Sequence, residues 1–479
     1  MSKEILINVE PQEKRVAILK EGKLEEFYIE RPQDKTIVGN IYRGKIEAVL
    51  PSLGAAFVDI GLPKKGFLYL SEIESAFETS EKNPTKLKEV KKGQEVLVQV
   101  VKESFGTKGP RLSCEIGIAG RYLVLMPQDA QMGVSRRIED EAERKRLRQA
   151  LSEFKLPPKL GFIVRTAALG RSKKELLRDA QFLIKLWGRL ERISGRKRAP
   201  SLIYEEYDLS LRVIRDSFVE DVTKLIIDSK PEFYRIQRFM RTFLGHLANR
   251  IELYRGADLF EDKDIERQIN KIFESKVYLK SKGSLIIEPT EGLVVIDVNS
   301  GGFRKNLSQE DTAFKVNCEA AEEAAHQIRL RDLGGIIVID FIDMEREGHR
   351  RQVLQVLKNA LSLDKAKYDI LGISKFGVVE MTRERIHNTV QTISYQPCPY
   401  CQGKGKIKSA MTMAIYAFKE LKRFLKNKSA REVSLSLNPA VADEIAKDKA
   451  SLKEMEHKLR TRINLIHNPA LHIEDIKIS

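Results

Sequence analysis

Two nearly unbroken apolar runs interrupt the alternating pattern of this chain, and both lead into aspartates. The first is Leu293-Val294-Val295-Ile296-Asp297-Val298-Asn299-Ser300-Gly301, and the second is Ile336-Ile337-Val338-Ile339-Asp340-Phe341-Ile342-Asp343. Runs this rich in β-branched residues predict strands buried on both faces. Between them, Thr312 to Leu330 spaces Ala, Ile and Leu among Glu, Arg and Lys, a helical pattern that Gly334-Gly335 stops. A strand–helix–strand unit crosses over right-handed and leaves its strands parallel. Asp297 and Asp340 are then expected to emerge together, at the edge where open α/β sheets build their sites.

Upstream, the runs Gly39 to Val49, Ala55 to Ile60, Gly66 to Leu70, Glu95 to Glu103 and Arg111 to Ile116 predict five short strands. A polar, Lys-rich stretch from Ser75 to Lys92 separates the third from the fourth, an arrangement suggesting an OB-type barrel. Phe57 and Phe67 fall on neighbouring strands among Arg43, Lys45, Lys64 and Lys65. Aromatics among cations suit base stacking over a phosphate-tracking groove, and the barrel core is the competing place for both rings. Gly61-Leu62-Pro63-Lys64-Lys65-Gly66 resembles the opening of a P-loop. It lacks the closing Lys-Ser/Thr and leads into a strand, so that reading fails.

From residue 117 to about 200 the pattern turns mixed and basic. It predicts a strand at Tyr122 to Met126, a loop with Ser135-Arg136-Arg137, a helix from Glu139 to Phe154, a strand from Gly161 to Thr166 and a long helix from Lys173 to Ile193. Gly195 to Pro200 reads as an exposed connection, and residues 208–273 alternate helices with short strands. The opening segment, Glu4 to Ile29, holds two or three strands, too few for a domain. It is expected to pair with the 205–273 region, with the barrel inserted between the two halves. After Asp340 come a helix from His349 to Leu361 and one strand from Ile370 to Met381. The tail from Ser409 to Ser479 is helical, then mixed, and carries no catalytic constellation.

Length and charge narrow the function. At 479 residues, two to four domains are expected. With 84 basic and 68 acidic residues the net charge is +16, and a polyanion such as nucleic acid is the default partner. No apolar run approaches the ~18 residues of a membrane span, and Met1-Ser2-Lys3-Glu4 has no signal-peptide core. Four cysteines make no disulfide framework, so a cytoplasmic protein is expected.

Adjacent carboxylates repel unless a proton or cation lies between them. With no Cys or His at ligand spacing nearby, an all-oxygen site favours Mg²⁺ or Mn²⁺. Such an ion can polarise a phosphoryl oxygen and activate a water. Asn299, two residues beyond Asp297 on the same strand face, is placed to orient a carboxylate. A single aspartate would read as a loop cap; the matched pair does not.

Cys398-Pro399-Tyr400-Cys401-Gln402-Gly403-Lys404-Gly405 looks like one zinc knuckle, with Pro397, Pro399 and the glycines permitting the tight turn. Tetrahedral Zn²⁺ normally needs four ligands, and neither Cys114 nor Cys318 has a companion at sensible spacing. A twofold dimer sharing one ion would complete the set. The competing reading is a thiol redox pair, which usually sits at a helix start in a thioredoxin-like βαβ context.

Ile296-Asp297-Val298-Asn299-Ser300, the segment Arg329-Leu330-Arg331-Asp332-Leu333-Gly334-Gly335 continuing to Asp340-Phe341-Ile342-Asp343-Met344, and Cys398-Pro399-Tyr400-Cys401 together resemble the bacterial ribonuclease E/G family of endoribonucleases. By length the chain is similar to the shorter members, without a long disordered tail. The resemblance implies an α/β multidomain protein. An RNase H-like subdomain (1–35 and 205–273) is interrupted by an OB-fold domain (36–116) and a 5′-phosphate sensor region (117–204). A DNase I-like catalytic subdomain (274–394), a zinc link (395–408) and a small C-terminal domain (409–479) follow.

It also implies a catalytic Mg²⁺ held by Asp297 and Asp340 with support from Asn299, and RNA contacts from Phe57, Phe67, Lys108 and Arg136. Gly120, Val124, Arg165 and Thr166 match a 5′-monophosphate pocket, and an amide, a hydroxyl and a guanidinium suit a phosphate. Lys367 departs from the family's arginine, keeping the charge but losing bidentate contact. The implied activity is single-strand cleavage leaving 5′-phosphate and 3′-hydroxyl ends, in ribosomal RNA precursors or messenger RNA, by a homodimer sharing Zn²⁺. The rival is a non-catalytic RNA-binding or ribosome-associated factor, which would gain nothing from carboxylates facing phosphates. A DNA nuclease is disfavoured by the resemblance alone.

Overall fold

A computed structural model describes residues 2–73, 90–104, 108–154, 157, 159–290, 292–301, 308–374, 376–384, 394–396, 398–426 and 430–479. Most of the Lys-rich stretch after Ser75, and Pro397, lie outside the described residues. The chain forms two compact units, Met1–Ile393 and Ser394–Ser479.

In the first unit, Lys3–Val9 is antiparallel to Lys14–Lys20 and parallel to Val222–Ile227, so the opening strands share a five-stranded sheet with residues far along the chain. Alternate residues face opposite sides. Ile5, Ile7, Val16 and Ile18 join Ile214 and Ile236 in one core, while Leu6, Ala17 and Leu19 meet Ile265 and Ile269 in another. The barrel closes because Ile41–Leu50 pairs with both Ala55–Asp59 and Glu95–Lys102, around Ile46, Val58, Leu68, Val98 and Leu112. Ser201–Tyr204 adds to its outside along Ile41–Leu50. A four-stranded sheet (Met132–Val134, Gly161–Val164, Leu123–Met126 and Ile118–Ala119) packs against the Lys173–Arg196 helix.

The aspartate strands lie centrally in a six-stranded sheet, in the order Lys276–Tyr278, Ser284–Pro289, Leu293–Asn299, Gly335–Asp340, Val378–Arg383 and Tyr368–Ile373. Leu293–Asn299 and Gly335–Asp340 are parallel and joined through the Gln309–Leu330 helix. That helix buries Ala313, Ala320, Ala321, Ala324 and Ala325 against the sheet, small residues that allow close approach.

Two expectations change here. The segment Ile370 to Met381 is not one strand but an antiparallel hairpin, Tyr368–Ile373 and Val378–Arg383. Gly377, at a φ of 79°, turns the chain in the left-handed region that only glycine adopts freely. Nor are the aspartate strands buried on both faces. Val294, Ile296, Val298, Ile337 and Ile339 are in the core, whereas Leu293, Val295 and Val338 are half-buried and Ile336 is exposed. The helices cover one face only, and the aspartates belong to the other.

The second unit has Glu432–Leu437 parallel to Arg462–His467 and antiparallel to Ile476–Ile478, with the Ala410–Lys426 and Pro439–Lys447 helices in its core. Among the described residues, no helix is long and apolar enough to cross a membrane.

Candidate active site

Strand register builds the acidic pair. Asp297 and Asp340 are direct partners across the parallel ladder, and partners in register project from the same face. Asn299 Nδ2 donates to Asp297 Oδ2 at 2.8 Å, so the amide holds one carboxylate oxygen. Gly301 ends this strand at a φ of 60°, where a Cβ would lie 2.3 Å from the Lys282 carbonyl oxygen. The segment after Asp340 is fixed by a residue the sequence pattern did not reveal. Buried Asn317 donates through Nδ2 to Ile342 O at 2.8 Å and accepts from Ile342 N at 3.1 Å. Its only advance signal is a polar residue on the apolar face of the crossover helix. Glu310 accepts from Glu345 N (2.8 Å), Arg346 N (3.2 Å) and His349 Nδ1 (2.7 Å), securing the next turn.

The two carboxylates and the neighbouring amide oxygen suit a hard divalent cation such as Mg²⁺, which binds through few protein oxygens and keeps several waters. Among the described residues no group of three or more His, Cys, Asp or Glu forms a metal cluster.

On the barrel, Phe57 and Phe67 are direct cross-strand partners with ring centroids 6.3 Å apart. Phe57 is 37% exposed and Phe67 half-buried, so neither ring belongs to the barrel core. Tyr69, 38% exposed, extends the patch at 5.1 Å from Phe67, and the Arg111 guanidinium lies 4.9 Å from the Tyr69 ring. Both were missed, although the two-residue spacing from Phe67 to Tyr69 puts them on one face. Some neighbouring cations are already engaged: Lys65 with Glu47 and Asp59 at 3.2 Å each, and Arg43 with Glu95 at 2.5 Å. Lys108 is exposed, and so is Arg136, in the loop after Met132–Val134.

Gly120 and Arg165 do meet. Arg165 Nη1 donates to Gly120 O at 2.7 Å, and Nη2 pairs with Asp216 Oδ1 at 2.6 Å. The amide of Gly120 donates to Leu123 O at 2.8 Å. Its lack of a side chain matters because Asp179 crowds it: a Cβ there would lie 2.7 Å from Asp179 Oδ2. Buried Asp179 accepts from the amides of Arg121 (3.2 Å), Tyr122 (2.7 Å) and Leu123 (2.9 Å), shaping this turn. Burial would raise the Asp216 carboxyl, but Arg215 and Arg165 outweigh it and hold it down at about 2. Val124 sits opposite Ile163 on the adjoining strand, and Thr166 is exposed beside Arg165. Asp179, Arg215 and Asp216 are sequence-distant partners that no local pattern marks.

In the second unit, Cys398 and Cys401 share a tight turn. Cys398 sulfur accepts from the amides of Cys401 and Tyr400 and from the Cys401 thiol, lowering its pKa. Gln402, Gly403 and Gly405 continue with positive φ. The turn lies ahead of the Ala410–Lys426 helix, so the cysteines are not at that helix's start.

Comparison with known families decides what these parts belong to. A family model described as "Ribonuclease E/G family" matches residues 117–386. Over 472 residues the chain is 39% identical to Ribonuclease G of Haemophilus influenzae, covering 96% of each. The chain belongs to the ribonuclease E/G family. Ribonuclease G of Escherichia coli K12 is 38% identical over 489 residues, covering 100% of this chain and 99% of that protein. Ribonuclease E of H. influenzae is 38% identical over 473 residues, covering 97% of this chain and 50% of that protein.

A model described as "S1 RNA binding domain" matches residues 35–115, which makes the closed barrel an OB-type S1 domain and its aromatic patch an RNA-facing candidate. A third, "RNase E/G, Thioredoxin-like domain", matches residues 397–479 and takes in the cysteine pair. The parallel pairing of Glu432–Leu437 with Arg462–His467 accords with that class, while the cysteines lie outside its helices.

Proposed function

We propose that this ribonuclease E/G family member, an endoribonuclease, cuts single-stranded RNA with a divalent cation held by Asp297 and Asp340, leaving 5′-phosphate and 3′-hydroxyl ends. The observation that carries this reading is the in-register aspartate pair, with Asn299 bonded to Asp297, on the open face of the sheet. The chemistry supplied by Mg²⁺ at such a site is polarisation of a phosphoryl oxygen and a lowered pKa for a coordinated water. Asp297 and Asp340 provide the anionic oxygens, Asn299 orients one of them, and Asn317 keeps the chain beyond Asp340 in place. Phe57 and Phe67, with Tyr69, offer rings on which bases stack, while Lys108 and Arg136 meet the backbone.

In this reading the substrates are ribosomal RNA precursors or messenger RNA in the cytoplasm. The five-stranded sheet formed by 1–35 and 205–273 is RNase H-like, and residues 274–394 are a DNase I-like catalytic subdomain. Residues 36–116 form the OB-fold domain, 117–204 the sensor region, 395–408 the zinc link and 409–479 the small C-terminal domain.

The 5′-monophosphate pocket is read around Arg165 and Thr166, next to Val124, with Gly120 acting through its carbonyl as an anchor for Arg165. A 5′-monophosphorylated single-stranded RNA is expected to be cut faster than its 5′-hydroxyl counterpart in Mg²⁺. Arg165→Ala should remove most of the difference, since a charge-assisted hydrogen bond is worth roughly 1.5–3 kcal/mol. Equal wild-type rates on both RNAs would sink the pocket. No cleavage of either, in any divalent metal, would sink the enzyme reading.

The cysteine turn is read as half of a zinc site. Two thiols, one drawn toward thiolate by backbone amides, fit two of four tetrahedral positions. One Zn²⁺ per two chains is expected, bound by Cys398 and Cys401 of each, and removing it should lower the oligomeric mass. Metal analysis of the wild type and sedimentation of Cys398→Ser test this. One zinc per chain, or a zinc-loaded dimer of the variant, would contradict it.

A further inference from the structure

We propose that the outer face of the Lys173–Arg196 helix is a docking track for the sugar–phosphate backbone of duplex RNA. The helix has 24 residues and buries Leu176, Ala180, Leu183, Trp187 and Leu190 inward. Lys174, Arg178, Lys185, Arg189, Arg192 and Arg196 are all exposed. At about 100° and 1.5 Å per residue they fall within roughly a 60° arc and extend over about 33 Å.

Among the described residues none of these six cations has an ion-pair partner, whereas Lys173, about 100° round the helix from the stripe, pairs with Glu153. The acids of the helix are committed elsewhere: Glu175 to the Ser172 cap and Asp179 to backbone amides. Glu191 lies outside the arc. A face that merely dissolves would intersperse acids, as the Glu141–Ser152 helix does. There Arg144 and Arg148 pair with Glu141 at 3.4 and 3.8 Å, and Arg146 with Glu143 at 2.7 Å. Lys174/Arg178, Lys185/Arg189 and Arg192/Arg196 instead stand four residues apart as like charges, a repulsion that an anionic partner relieves.

The stripe also carries no exposed aromatic ring; Trp187 points into the core. Single-strand binding without sequence preference relies on stacking, but duplex RNA is held through phosphates and 2′-hydroxyls. A straight line of cations therefore fits paired RNA rather than an unpaired segment.

The test uses the full chain carrying Lys185→Gln, Arg189→Gln, Arg192→Gln and Arg196→Gln, without added divalent cation. Probes are a blunt 5′-hydroxyl RNA duplex of roughly 16 base pairs, the span other duplex readers cover, and one of its strands alone. Each lost phosphate contact lowers the slope of log K against log salt by roughly 0.7–0.9, so the duplex slope should fall by about 3. The single-strand slope, and cleavage of a short 5′-monophosphorylated single strand in Mg²⁺, should stay as in the wild type. An unchanged duplex slope, or an equal fall on both probes, overturns the proposal. So does retained duplex binding with lost binding to phosphatidylserine vesicles, which would assign the face to a membrane surface. If circular dichroism shows that the quadruple variant has lost helix, Lys174→Gln with Arg178→Gln decides, with an expected duplex slope change of about 1.5.

Discussion

Asp297→Asn or Asp340→Asn is expected to slow RNA cleavage on the order of 10³-fold or more, the scale for losing a preorganised group that stabilises developing charge. Each substitution keeps the side-chain shape and removes one of the two negative charges facing each other across the parallel ladder. RNA affinity should change little, because these carboxylates attract the cation and repel phosphates. Single-turnover cleavage in saturating Mg²⁺, beside equilibrium RNA binding, separates the two effects. A near wild-type rate in either variant would remove the metal assignment. Asn299→Ala should cost less, about tenfold, since it deletes one hydrogen bond that orients Asp297.

Arg383→Ala is expected to destabilise the first unit by roughly 3–5 kcal/mol, the cost of breaking a buried ion pair from one side. Arg383 Nε donates to Asp364 Oδ2 at 2.7 Å and Nη2 to Asp364 Oδ1 at 3.2 Å, and both side chains are only 3% exposed. Its Nη1 reaches Asp332 Oδ1 at 2.6 Å and Leu333 O at 2.8 Å. One guanidinium thus ties the end of Val378–Arg383 to the segment that feeds Gly335–Asp340. Truncation would leave the Asp364 carboxylate buried without its partner. With an m-value of about 1–3 kcal/mol/M, the urea midpoint should fall by about 1 M or more. Arg383→Lys should recover only part of the loss, since an ammonium cannot reproduce the fork. A midpoint equal to wild type would show that the network adds no net stability.

Local pattern carried the reading furthest around the aspartates. Two β-branched runs, a helix between them and a Gly-Gly stop define a crossover, and the chirality of the backbone makes such strands parallel. Period two then put Asn299 on the side of Asp297, and the 2.8 Å hydrogen bond is the consequence. The barrel strands were legible for the same reason, because alternation reports which residues face inward. The hairpin at 368–383 was not. The apolar runs on either side of Ser374-Lys375 read as one strand, because that short polar break, with Gly372 and Gly377, marks the reversal only weakly.

Around the aspartates the sequence by itself therefore determined the two strands, the helix between them and their parallel pairing, because period, capping and crossover handedness act over short spans. Only the tertiary structure decided which charges are spent and which are free. It assigned Arg165 to Asp216, the Gly120 amide to Leu123, Asn317 to Ile342 and Arg383 to Asp364. It also turned Phe57 outward and left one face of the Lys173–Arg196 helix without acids. The physical reason is that hydrogen bonds and ion pairs between elements are set by packing. A side chain's partner there depends on segments distant in the chain, and nothing in its immediate neighbours encodes that choice.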